Sequence, residues 1–233
     1  WNRNFGKHDL YSMLLYTYKY DDRNGVNVTL FTQNAGWYTH YGYDNRYFAD
    51  FTLMFSASNK LDPNSRWLPA PTVGLSWVIS NEAFMKNQNE IDFMKLRADG
   101  YWLNKMGGGG SYPVIGGSNF GDGDGGWSEG RLPSLNGVLE KAYKYNVGLD
   151  MSLLKGLTFT IDGFYERRSD IWVSASGQNS AVLGVDGAYK NAGIVDSWGT
   201  EMGLDYNKRI GDFQLRLGGT FSFNRSEIIE NLE

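Results

Sequence analysis

Cysteine is missing from the 233 residues, which excludes a disulfide scaffold, a thiolate metal site and a cysteine nucleophile. Histidine is nearly missing too: only His8 and His40 occur, in different segments, with no His-x-x-x-His pair and no nucleophile elbow. A Ser–His–Asp grouping is the one nucleophilic alternative left, and no spacing supports it. The chain reads as a non-enzyme without a cofactor. No stretch approaches the ~18–20 consecutive apolar residues of a membrane helix, so any bilayer crossing has to be made by strands. A net charge of −4 gives no electrostatic case for nucleic acid or for an anionic membrane surface. No signal-peptide pattern opens the chain. Trp1-Asn2-Arg3-Asn4 is polar and reads as a turn, as expected of a processed chain or of an internal piece of a longer one.

What the chain has in excess is glycine, at 30 residues, and aromatic side chains, at 15%, both high for a soluble domain. They fall into a period of two. Over 141–153 one parity holds Ala142, Lys144, Asn146, Gly148, Asp150 and Ser152, and the other Tyr143, Tyr145, Val147, Leu149, Met151 and Leu153. A strand puts alternate side chains on opposite faces, so this segment is polar on one side and greasy on the other. It is also about twice the usual ~5–6 residue strand. After the turn Leu154-Lys155-Gly156 the pattern resumes with Leu157, Phe159, Ile161, Gly163 and Tyr165 on the apolar parity.

The same pattern predicts about nine strands, at 8–20, 35–43, 47–57, 69–80, 92–102, 141–153, 157–168, 198–207 and 213–224, with a short helix over 81–91 capped by Ser80. Connections alternate in length. Short ones lie at 44–46, 154–156 and 208–212; long ones lie at 21–34, 58–68, 103–140 and 169–197. Short turns on one side and long loops on the other, with Tyr and Trp near strand ends, predict an all-β fold: a transmembrane antiparallel β-barrel whose long loops are external. A soluble β-sandwich binding module also alternates, but its strands are shorter and its loops more even.

The ordered motifs resemble one family. Leu68-Pro69-Ala70-Pro71, Trp77-Val78-Ile79-Ser80-Asn81-Glu82-Ala83-Phe84 and Met94-Lys95-Leu96-Arg97-Ala98 are similar to the "FPS…W-x-ISEE-x-F…LKLRASYG" stretch of SusC/RagA-type TonB-dependent outer-membrane transporters. Leu135-Asn136, Tyr145-Asn146-Val147-Gly148-Leu149-Asp150, Phe164-Tyr165-Glu166-Arg167-Arg168-Ser169-Asp170 and Asn191-Ala192-Gly193-Ile194-Val195 with Gly199-Thr200-Glu201 resemble later motifs of that family. Asp99-Gly100-Tyr101 departs from its "SYG", and Glu230-Asn231-Leu232-Glu233 lacks the closing aromatic residue.

The resemblance implies a 22-stranded barrel with a plugged lumen, of which residues 1–233 supply a middle-to-late part without the plug. It implies import of a nutrient, oligosaccharide or peptide, across the bacterial outer membrane. A SusD-like surface lipoprotein would deliver the cargo, and TonB would act through an N-terminal plug region. The alternative is a barrel serving as a structural subunit of a larger outer-membrane assembly. Partners are therefore lipid, lipoprotein, TonB and cargo, and no nucleic acid.

Several residues stand out as site candidates. The charges Arg97, Asp99, Lys144, Asp150, Asp162, Glu166, Glu201, Asp205 and Arg216 share the polar parity, as expected of side chains facing a hydrated lumen and pairing with a plug. Lipid-facing charges would cost about 2–4 kcal/mol at mid-depth, so stability alone confines them to that parity. Tyr112, Trp127 and Trp172 are candidates for stacking on sugar rings or gripping a peptide, the alternative being packing against a partner chain. Asp122 and Asp124, in the glycine-rich run Gly121–Trp127, are weak calcium candidates that lack the spacing and closing Glu of an EF-hand.

Overall fold

The computed structural model describes residues 1–21, 29–105, 132, 134–175, 182 and 187–232, and the backbone alone of 117–119 and 126–128. In chain order the strands are β1 (Asn2–Phe5), β2 (His8–Asp21), β3 (Leu30–Tyr43), β4 (Tyr47–Ser58), β5 (Leu68–Val78), β6 (Ile91–Lys105), β7 (Gly117–Asn119), β8 (Gly126–Ser128), β9 (Glu140–Leu153), β10 (Leu157–Ser174), β11 (Tyr189–Ile210) and β12 (Phe213–Glu230). Ten of them form one antiparallel sheet in sequence order, β1-β2-β3-β4-β5-β6-β9-β10-β11-β12, and β7 and β8 pair separately. Among the described residues β1 and β12 are the edges, and every position of β12 is exposed.

The expected alternation is present, and the register joins it across strands. Leu10, Tyr41, Ala49, Leu75, Ala98, Val147 and Gly163 lie opposite one another on one face of successive strands. Phe48, Ser76, Arg97, Gly148, Asp162 and Glu201 do the same on the other. The apolar face is uncovered: Leu75 and Val147 are both 57% exposed and Leu14 81%. At its short-turn end runs an aromatic row, with ring centroids 4.9 Å apart for Phe5–His8, 5.0 Å for His8–Tyr43, 6.5 Å for Tyr43–Tyr47 and 6.4 Å for Tyr47–Trp77. At the long-loop end Trp102 meets Tyr143 at 5.4 Å, and Arg225 lies over Trp198 at 5.7 Å.

Three expectations about elements are corrected. Trp1-Asn2-Arg3-Asn4 is not a turn, because β1 pairs with β2 from Asn2↔Tyr11 to Phe5↔His8. The helix expected over 81–91 is instead two single 3-10 turns, Ile79–Asn81 and Ala83–Met85, and no side chain caps either one. The strands also overrun their expected ends on the long-loop side: β3 begins at Leu30, β10 runs to Ser174 and β11 begins at Tyr189. Charged residues there read as loop, yet cross-strand pairs such as Arg167–Asp196, with Nε to Oδ1 at 2.9 Å, hold the ladder together.

One short turn carries strain. Leu154 and Lys155, in the three-residue connection between paired Leu153 and Leu157, both have φ of 53°, the left-handed conformation that favours glycine or asparagine. Neighbouring chain holds them there, since Leu154 N–H donates to Glu90 O at 2.9 Å and Lys155 N–H to Asp92 Oδ2 at 2.7 Å. A left-handed non-glycine residue costs roughly 1–2 kcal/mol. Lys155→Gly is therefore expected to raise unfolding stability by about 1 kcal/mol, read as a higher urea midpoint in detergent. An unchanged or lower midpoint would show that the turn is unstrained.

Candidate functional site

The polar face carries its densest network where β6, β9 and β10 meet. Arg97 on β6 lies opposite Gly148 on β9, which lies opposite Asp162 on β10. With no side chain at Gly148, the Arg97 guanidinium crosses the middle strand. It donates from Nε to Asp150 Oδ2 at 3.0 Å and from Nη2 to Asp150 Oδ1 at 3.2 Å and Asp162 Oδ2 at 2.7 Å. Asn146 Nδ2 extends the network to Asp162 Oδ1 at 3.1 Å and Asp99 Oδ1 at 3.3 Å. One row along, the Lys144 ammonium sits over the rings of Phe164, at 5.2 Å, and Tyr101, at 5.9 Å. These groups line an open depression of about 350 Å³ bounded by Arg97, Asp99, Lys144, Asn146, Asp162 and Glu201. It presents ionised groups of both signs beside aromatic faces, a surface suited to polar, charged ligands.

All nine charges singled out in the sequence fall on this face by register. Arg97, Asp99, Lys144, Asp162 and Glu201 line the depression, and Asp150 joins it through Arg97. Glu166 lies opposite Lys144. Asp205, opposite Gly218, and Arg216, opposite Asn207, sit farther along toward the β11–β12 turn.

The aromatic candidates fare differently. Tyr112, Asp122 and Asp124 lie outside the described residues, and of Trp127 only the backbone, in β8, is described. Trp172 is corrected from an exposed gripping residue to a buried one, 9% accessible and packed with Leu61 and Leu139. The reason is that β10 continues past 168 through a bulge, with Asp170 at φ 54°, and delivers the indole under the segment that leads into β9. Among the described residues no three His, Asp or Glu side chains are grouped to hold a metal.

Two clusters were not singled out from the sequence. Asp50 on β4 accepts from Tyr38 Oη at 2.6 Å and lies 2.8 Å from His40 Nδ1, on the same polar face. Its parity was legible; that His40 stands opposite it was not. At the short-turn rim, buried Glu82 accepts from Arg46 Nη1 at 2.9 Å, Trp77 Nε1 at 3.0 Å and the Tyr47 hydroxyl. Arg46 also pairs with Asp44, which pairs with Lys7 at 3.0 Å, so the rim is laced from the β1–β2 turn to the β5–β6 connection. Hydrogen bonds from Tyr47 and Trp77, then from Arg46, hold the Glu82 carboxyl below its ordinary range against the opposing effect of burial. Lys7, then Arg46, do the same for Asp44.

No family model matches the chain. It is 27% identical over 217 residues to the TonB-dependent receptor SusC of Bacteroides thetaiotaomicron, covering 81% of this chain and 20% of that protein. It is 25% identical over 212 residues to the TonB-dependent receptor P39 of Formosa agariphila, covering 82% of this chain and 18% of that protein. The chain thus spans about a fifth of the length of these curated relatives. In fold it matches the RagAB peptide importer in its closed-closed state, with TM-score 0.84 and 17% identity over 100% of this chain and 29% of that one. The FrpB iron transporter from Neisseria meningitidis matches with TM-score 0.59 and 12% identity, over 98% of this chain and 34% of that one.

Two outcomes follow from these clusters. A Cβ at Gly148 would lie 2.6 Å from both Arg97 Cζ and Asp162 Oδ1. Gly148→Ala should cost about 1–3 kcal/mol by overpacking, measured by urea unfolding in detergent; full stability would mean that Arg97 does not cross the strand there. The rim carboxylates fold with lowered pKa, so their contribution is complete above the ordinary carboxylate range and fades as pH falls through the lowered values. Glu82→Gln is expected to flatten the acid limb of the stability profile without altering its behaviour near neutrality in slope. An acid limb identical to that of the parent would remove Glu82 from the account.

Proposed function

We infer that this chain, which is of the SusC/RagA type of TonB-dependent receptors, forms part of the wall of an outer-membrane transport barrel. The observation that carries this reading is the two-sidedness of the sheet. One face is apolar over its middle, uncovered and bordered by aromatic rows, as a lipid-facing wall requires, and the other holds an ionic network around Arg97, as a wet lumen allows. An open sheet with two unpaired edges cannot stand in hydrocarbon, so further strands have to close it. The long connections then face outward from the cell and the Glu82 rim faces the periplasm.

The cargo we favour is a peptide. Asp99 and Glu201 beside the ring-held Lys144 offer both signs of charge, matching the ammonium and carboxylate groups of a peptide better than a neutral glycan. The fold likeness to a peptide importer agrees with this. A SusD-like lipoprotein at the outer end and TonB acting on a plug inside the barrel complete the reading, with the barrel performing no bond chemistry.

Neighbouring residues on opposite faces test the wall. In the full-length protein refolded into lipid vesicles, Leu75→Arg should cost about 2–4 kcal/mol, whereas Ser76→Arg should cost well under half of that. Equal costs would overturn the assignment of faces. For cargo, cells relying on the full-length protein should take up peptides, and lose that uptake when the proton gradient is collapsed. Lys144→Met with Asp99→Asn should lower it while leaving the amount of assembled barrel unchanged. Uptake of oligosaccharide in place of peptide would replace the cargo named here.

A further inference from the structure

The long connections are joined at their bases by a single continuous junction. Asn191, near the start of β11, accepts from Val138 N–H at 2.9 Å and donates from Nδ2 to Val138 O at 3.0 Å and Asp170 O at 2.6 Å. One amide side chain therefore fixes the segment leading into β9 and the bulge in β10 together. The same segment is held by Ser134 Oγ, donating to Tyr189 O at 2.9 Å. Glu140, 7% exposed, accepts from Arg168 Nη2 at 3.1 Å and Trp172 N–H at 3.3 Å. Trp172 covers Gly137 so closely that a Cβ there would collide with its ring.

The junction does not stop at β10. Leu61, in the β4–β5 connection and 1% exposed, packs with Leu139 and Trp172. Two residues earlier, Asn59 reaches the β2–β3 connection, accepting from Phe31 N–H at 2.9 Å and donating to Thr29 O at 2.7 Å. Arg66 closes the gap, donating Nη2 to Leu61 O at 3.3 Å with its guanidinium 5.8 Å from the Phe31 ring centre. The contacts thus run from Thr29 and Phe31, where β3 begins, through 59–66 to 134–140 and to the facing ends of β10 and β11.

We propose that this junction makes the described bases of the four long connections one mechanical unit, with Asn191 and Leu61 as its two positioning residues. Displacement at the base of one connection is then transmitted to the others through packed and hydrogen-bonded side chains at the strand ends, in addition to the backbone ladder. The idea rests on the transport reading for its use, since it would let cargo or a surface partner touching one connection bias the rest. Its geometry does not depend on that reading. Asn191 touches no cargo in this account; it acts by holding 134–140.

Amide hydrogen exchange on the full-length transporter in detergent tests it. Asn191→Ala removes three hydrogen bonds, and exchange in peptides covering 134–140 is expected to rise roughly tenfold. The coupling predicts that peptides covering 29–31 and 59–66 accelerate as well, while 79–90 at the opposite rim stays at parent rates. Leu61→Ala should act in reverse, accelerating 134–140, and carries the test alone should Asn191→Ala fail to assemble. Asn191→Asp, which keeps the acceptor for Val138 N–H and loses both donors, should fall between parent and Ala. Acceleration confined to the mutated connection would overturn the proposal. A transporter that imports no peptide yet shows the linked acceleration would defeat the functional reading and leave the junction standing.

Discussion

Away from the bulges at the strand ends, side chains in this sheet are placed by the two-residue repeat of a strand combined with one antiparallel register. Because the repeat is two, shifting any strand by one residue would carry Leu75 to the ionic face and Arg97 to the apolar one. Charged side chains in hydrocarbon and greasy ones in a wet channel are both unfavourable, so the register is held over all ten strands at once. Short turns fix it locally. The Asp44-Asn45 and Leu154-Lys155 pairs adopt the left-handed conformation that matches strand twist, although only the first pair has residue types that tolerate it easily. Where the chain lacks a good turn residue, the neighbouring connection supplies hydrogen bonds instead.

The two faces solve opposite problems. On the apolar side large greasy residues dominate the middle of the sheet, while the Arg167–Asp196 pair and Arg225 over Trp198 lie toward its long-loop end. On the polar side each ionised group needs partners, and these come from other strands. Arg97 reaches past Asp150 on the adjacent strand to Asp162 on the next one only because the strand between carries glycine at the crossing point. Lys144 lies over ring faces, and Asp99 and Glu201 line the depression beside it. That distribution, more than the count of charges, sets what the depression presents: both signs of charge beside aromatic faces.

The two ends of the sheet are built differently. At the short-turn rim, a laced set of ion pairs around Glu82 ties successive turns side by side. At the other end a small buried cluster, Leu61, Leu139 and Trp172, does the same for the long connections with apolar packing and the Asn191 amide. Exposed ion pairs contribute little individually, and their worth here lies in joining into a network. The buried cluster rests on apolar burial of a tryptophan and two leucines, which opposes the cost of leaving the Trp172 indole N–H without a partner.

Nine of the twelve strands, the two faces, the short turns at 44–46 and 154–156 and the polar parity of Arg97, Lys144, Asp150 and Asp162 were legible in the amino-acid order, because alternation is a local property read along one chain, whereas β1, β7 and β8 were not. The pairing of His40 with Asp50, the bridge of Arg97 over Gly148 and the burial of Trp172 were not. Each depends on which residue stands opposite which, or on a bulge that changes where a side chain lands. The overrun of β10 and β11 past their expected ends belongs to the same class, since charged residues stay in strand only when a partner strand offers the counter-charge. Sequence alone determined what each face is made of. Tertiary structure decided which groups meet across it, because contact between strands is set by register and not by neighbourhood in the chain.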